Sequence, residues 1–165
     1  MIKSKQLLLF IISFFGTGRV SRKMPGTVGS FFAMLLLLCL PRSPTLALII
    51  ALLLFCIGWR CCDTYIIKRG YEQDRDPGYV VIDEACGIST TAAIAYSFGL
   101  VNIHDILLGF LLFRTFDIFK PFPIGCIERV MKSRDSTVGL GIMLDDLLAG
   151  IYAGVTQVML TMWIL

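Results

Sequence analysis

Apolar positions along the chain fall into blocks, not into the strict alternation of strands. The runs cover Val28 to Leu40, Thr45 to Trp59, Ala85 to Val101, Ile106 to Phe119 and Ile142 to Leu165, parted by short turns or charged loops. Continuous apolar stretches of this length predict helices, and the first two are short of the roughly 20 residues that a full bilayer crossing needs. Tilting, local thinning or extension through flanking residues would accommodate them. The segment "PRSP" predicts a tight turn, since proline continues neither helix. The stretch from Arg60 to Ile82 predicts a charged loop, with room for a short amphipathic helix before "DPG". The opening "MIKSKQLLLFIISFFGTG" has the outline of a signal peptide, but "RVSRKMPG" follows it in place of a small-residue cleavage site. An amphipathic or re-entrant segment is therefore expected over residues 1–27, ahead of a helical bundle over 28–165. With no long linker and no repeat, the expected fold is all-α: a single compact multi-helix membrane bundle with several transmembrane or partly inserted helices.

Composition sharpens that expectation. Hydrophobic residues make up 56% of the 165 and mean hydropathy is +0.80, above the roughly half-apolar content of soluble domains. A net charge of +3 is too small to suggest nucleic acid as a partner. Placement of the basic residues matters more than their sum. Lys3, Lys5, Arg19, Arg22 and Lys23 precede the first run, Arg60, Lys68, Arg69 and Arg75 separate the second from the third, and Lys120, Arg129, Lys132 and Arg134 separate the fourth from the fifth. Arg42 is the one basic residue in an alternate loop, and "NIHD" has no Lys or Arg. Positive residues stay inside, so the N-terminus and both charged loops are expected on the cytoplasmic face. Six cysteines, with no C-x-x-C and no histidine cluster, read as reduced packing residues.

That topology puts four motifs, "PGTVGS", "VVIDEACG", "FRTFDIFKPFP" and "GIMLDDLLAG", where apolar runs meet the cytoplasmic face. Asp83 with Glu84, Asp117, and Asp145 with Asp146 then form a layer of five carboxylates. Unneutralised acids so placed repel one another. A hard divalent cation relieves this, and oxygen-only ligands favour Mg²⁺, which binds through a few carboxylates, waters and substrate phosphate. Helix capping is the plainer alternative for Asp83/Glu84 and Asp145/Asp146, but fails for Asp117, near a helix C-terminus where a carboxylate is disfavoured. Arg114, Asp117 and Lys120 recur every three residues, as a salt-bridged ladder or as cations holding a phosphate with Asp117 on the metal. In "PGTVGS", Thr27, Ser30 and free amides at a helix start form either an anion site or a simple N-cap. His104 is the only histidine and falls on the outer side, the cysteine-phosphatase loop is absent, and so is a P-loop. Phosphate chemistry by carboxylates and metal remains.

Taken in order, "PGTVGS", "IDEACG", "FRTFDIFKPFPI" and "GLGIMLDDLLAG" resemble the phosphatidylglycerophosphatase A family of bacterial lipid phosphatases, from Phe15 to Gly150. The basic "SRKM" before "PGT" departs from the apolar, proline-containing approach expected in that family. The resemblance implies Mg²⁺-dependent hydrolysis of phosphatidylglycerophosphate at the cytoplasmic face of the inner membrane. It also implies that Asp83, Glu84, Asp117, Asp145 and Asp146 serve catalysis and metal binding, with Thr27, Ser30, Arg114 and Lys120 on the phospholipid substrate. Which carboxylate is base, nucleophile or ligand stays open. A CDP-alcohol phosphotransferase would need D-G-x2-A-R and a spaced D-x3-D, neither of which occurs. A small multi-pass ion-binding or transport protein would place acids along a path to the far side, where only Asp105 stands.

Overall fold

The computed structural model describes residues 2–69, 77–132 and 137–164. Among the described residues there are seven α-helices and no strand, as the apolar blocks predict: α1 (Ile2–Ile12), α2 (Pro25–Leu38), α3 (Pro44–Arg69), α4 (Ile82–Ser97), α5 (Ile103–Phe119), α6 (Ile124–Lys132) and α7 (Val138–Ile164). A 3-10 turn, Thr17–Arg19, links α1 to α2. The short helix anticipated before "DPG" would fall largely on 70–76, outside the described residues, as do Arg75 and Arg134.

Helix α4 is the axis of the bundle. Twelve of its residues, from Ile82 to Tyr96, are buried, and α2, α3, α5 and α7 pack around it. Its sequence explains the position. Small residues let neighbouring backbones come close, and its hydroxyls bond within the helix: Ser89 to the Ala85 carbonyl (2.8 Å), Thr90 to Cys86 (2.9 Å) and Thr91 to Gly87 (3.0 Å). Thr91 also donates to the Gly150 carbonyl of α7 at 3.1 Å. Here α4 and α7 touch backbone to backbone, because a Cβ on Gly150 would meet Gly87 O, C and Cα, and one on Gly87 would meet the Phe113 ring and the Asp146 carbonyl. Gly150→Ala should therefore cost about 1–3 kcal/mol or more, since neither backbone can step aside. The check is a thermal melt in detergent; a variant that melts with wild type would mean the crossing is looser than drawn.

Three boundaries differ from the sequence expectation, each for a local reason. Helix α3 continues to Arg69, so the first part of the expected charged loop is helical; Cys62, Tyr65 and Ile66 are buried there against Val138, Ile142 and Met143, giving the polar stretch an apolar face. Helix α7 starts at Val138, about two turns ahead of Asp145, so the acid pair lies within the helix and not at its head. The Asp63 carboxylate of α3 accepts the Gly139 amide at 2.8 Å and satisfies one of that helix's open N–H groups. Helix α6 was not anticipated; its apolar residues are interrupted by Glu128, Arg129 and Lys132 and form one face of an amphipathic turn pair.

Two helices are long and apolar enough to cross a membrane, Pro44–Ile66 and Val138–Trp163, with mean hydropathy 2.2 and 1.6. Leu48, Ile49, Leu52, Leu53 and Ile57 of α3 face outward, as do Val155, Met159, Leu160 and Met162 of α7. Contiguous apolar surface on this scale fits a membrane-associated protein.

Candidate active site

The start of α4 is fixed from outside, because the Val81 amide donates to the Ile12 carbonyl of α1 at 3.0 Å. Asp83 and Glu84 thus occupy a held first turn, and the close α4–α7 crossing brings Asp146 to them. An oxygen from each of Asp83, Glu84 and Asp146 lies within 4.8 Å of the others. Asp83 and Asp146 are buried, and Glu84 Oε2 is a buried oxygen with no hydrogen-bond partner among the described residues. These three side chains line a cavity of about 350 Å³ with Lys23, Thr27, Arg114, Asp117, Lys120 and Asp145. The first turns of α2 and α4, the end of α5 and the third turn of α7 therefore meet around one hollow.

Arg114 organises one wall. Its Nη1 is 2.6 Å from Asp117 Oδ2, one turn later on α5, and it donates to Ser30 Oγ (3.2 Å) and Thr27 Oγ1 (3.4 Å). Ser30 is fully buried and itself donates to the Gly26 carbonyl at 2.7 Å. Its hydroxyl sits behind Arg114 and does not line the cavity, whereas Thr27 does. "PGTVGS" is the first turn and a half of α2, not a turn preceding it. Gly26 is needed there for closeness, since a Cβ would run into Glu84 Oε1 and approach Arg114.

Lys120 takes a different place from the simple ladder. Left-handed backbone at φ 43 ends α5 at this residue and carries its ammonium to Asp145 Oδ2 (2.8 Å) and Glu128 Oε1 (2.6 Å). The cation thereby joins α5, α6 and α7. Glu128 was not singled out from sequence. The signal available was the "PFP" break after Lys120, after which α6 packs along α7.

Five carboxylates and three cations line the cavity, an excess of negative charge that would repel a phosphate unless protons or a metal offset it. Burial pushes the Glu84 carboxyl up to about 8, with a further rise from Asp146 and Asp117 against lowering by the Asp83 hydrogen bond and Arg114. A raised acid favours the proton-rich folded state, so its contribution is full below about pH 4.5 and is lost as pH climbs through 8. In chelator, melting temperature should fall from pH 6 to 9, and Glu84→Gln should flatten that slope. Equal slopes for the two proteins would contradict the assignment.

A family model described as phosphatidylglycerophosphatase A matches residues 10–161. The chain belongs to this family. It is 34% identical over 153 residues to a phosphatidylglycerophosphatase A of Haemophilus influenzae, covering 92% of this chain and 86% of that one. To the Escherichia coli protein of the same name it is 32% identical over 140 residues, with coverage of 83% and 73%. A putative phosphatidylinositol-3-phosphatase of Bacteroides thetaiotaomicron is 30% identical over 153 residues, with 84% of each chain covered. No solved structure gives a significant match. Membership in a phosphatase family sets aside transport and CDP-alcohol transfer as the main activity.

Proposed function

We propose that this lipid phosphatase hydrolyses phosphatidylglycerophosphate to phosphatidylglycerol and phosphate with Mg²⁺, at the cytoplasmic face of a bacterial inner membrane. The observation that carries the reading is the three-carboxylate cluster in a cavity that also presents Arg114 and Lys120. The residues fit the metal: three hard oxygens converge, Glu84 carries a buried oxygen without a partner among the described residues, and the cavity's surplus negative charge matches a divalent ion. Asp83, Glu84 and Asp146 would hold it. When bound, Mg²⁺ supplies a Lewis acid and positive charge opposite the phosphate.

The remaining roles follow from placement. Arg114, held by Thr27 and Ser30, offers its guanidinium to the phosphate oxygens, and Lys120 adds charge from the other wall. Asp117 lines the cavity outside the three-oxygen cluster, and its side chain is 14% exposed against 4% for Asp145. It is the carboxylate best placed to take a proton from water as the water oxygen bonds to phosphorus and the phosphorus–glycerol oxygen bond breaks. The departing alkoxide then receives that proton. Asp145 is a positioning residue for Lys120. Met24 and Ile118, both more than half exposed, stand at the cavity's rim, where an acyl chain can lie while the headgroup enters.

The second substrate reading comes from the Bacteroides relative, whose name specifies a phosphoinositide. Phosphate release from phosphatidylglycerophosphate, phosphatidylinositol 3-phosphate and phosphatidic acid in matched micelles separates the readings. The highest kcat/KM is expected on the first; preference for the inositol lipid would replace it.

A further inference from the structure

Beside the carboxylate cavity lies a second hollow, of about 400 Å³, lined by Gly18, Arg19, Ser21, Arg22 and Tyr79. The two share Pro25 and Gly78 as walls and therefore adjoin. Their charge differs sharply. The first is rich in acids, whereas the second has Arg19 and Arg22 and, among the described residues, no acidic one in its lining, with Lys23 on the side of the first. Neither arginine forms an ion pair among the described residues.

The backbone carrying these charges is held. The Gly18 amide donates to Ser13 O at 3.1 Å and the Arg19 amide to Gly16 O at 3.0 Å. Thr17 Oγ1 bonds Phe14 O at 2.9 Å, and the Met24 amide bonds Ser21 Oγ at 3.2 Å. Gly18 packs so closely on the Tyr79 carbonyl and Val81 that no side chain fits. Arg19 therefore projects from a turn packed on the Pro77–Val81 turn that leads into α4, the same approach that sets Asp83 and Glu84.

We propose that this basic hollow is a second phosphate subsite, binding the phosphodiester of the lipid headgroup while the terminal phosphomonoester sits among the carboxylates. The inference rests on the substrate class proposed above and makes it more specific. A headgroup with two phosphates joined by one glycerol presents two anionic groups a short, flexible link apart, which matches adjoining hollows with a common wall. Arg19 and Arg22 are then specificity-determining residues: they select a lipid with an inner phosphodiester over one whose only phosphate is the monoester. Guanidinium suits this task because its planar fork meets two phosphate oxygens at once.

The test uses the full chain in neutral detergent micelles, with phosphatidylglycerophosphate and phosphatidic acid as paired substrates. Arg19→Gln/Arg22→Gln, checked by melting temperature for an intact fold, should lower kcat/KM on the first at least about tenfold and on the second less than about twofold. KM should carry most of the change. Arg19→Lys/Arg22→Lys should recover part of the loss, because charge returns without the fork. An equal fall on both lipids would assign the arginines to general attraction toward anionic surfaces, and no fall on either would leave the hollow without a role in substrate choice; both overturn the proposal. A wild type silent on phosphatidylglycerophosphate but active on another lipid would sink the substrate assignment, and this inference with it, before any variant is compared.

Discussion

Asp146→Asn should reduce Mg²⁺-dependent phosphate release by about 100-fold or more and weaken Mg²⁺ binding in the same protein. The substitution keeps the side chain's shape, so its effect is on charge. Asp146 supplies one of three converging oxygens and is almost fully buried between α4 and α7. Its amide form still offers a carbonyl, but two negative charges from Asp83 and Glu84 hold a divalent cation less well than three. Removing the charge also lowers the repulsion within the metal-free cluster, so the variant should melt at or above the wild-type temperature in chelator. Lost activity with retained or improved stability is the signature of a ligand; lost activity with collapsed stability would mark Asp146 as structural. Calorimetric Mg²⁺ titration together with melting curves separates them.

Asp117→Asn should give the second large effect and a different pattern: kcat lower by about 100- to 10,000-fold, with Mg²⁺ affinity within a few-fold of wild type. Asp117 is not one of the three clustered carboxylates, although its side chain adjoins Asp146, and its Oδ2 is engaged by Arg114 at 2.6 Å. Losing the carboxylate frees Arg114 to hold phosphate more strongly, so KM should stay level or fall while kcat drops. Near-normal kcat would leave Asp117 as no more than the partner that orients Arg114. A parallel loss of Mg²⁺ affinity would move it into the metal's shell.

These two expectations show how far residue order alone reaches. The helical class and the gathering of four motifs at one end follow from apolar blocks and basic loops, because burying or lipid-facing such runs leaves few other arrangements. Position within a helix was less legible. Asp145 and Asp146 read as the head of an apolar run, yet Asp63, 76 residues before Gly139 in chain order and hidden in an apparent loop, caps α7 two turns earlier. Division of labour inside the pair is also tertiary: Asp146 turns to Asp83 and Glu84, whereas Asp145 turns to Lys120. Helical geometry explains the split, since adjacent residues point about 100° apart, but nothing local says which of the two faces inward. Ser30 shows the same limit. A hydroxyl near a glycine turn suggests a phosphate contact, while the observed bond to Arg114 makes it a support for the residue that would bind phosphate.

The central claim is that Asp83, Glu84 and Asp146 hold a divalent cation required for hydrolysis of a lipid phosphomonoester. Its most direct test is phosphate release from phosphatidylglycerophosphate by purified protein, in Mg²⁺ and in chelator, for wild type and an Asp83→Asn/Asp146→Asn double variant. The account predicts release by wild type in Mg²⁺, near-background release in chelator that returns when Mg²⁺ is restored, and none above background from the folded double variant in either condition. Undiminished release in chelator, or a double variant that keeps wild-type turnover, would contradict it.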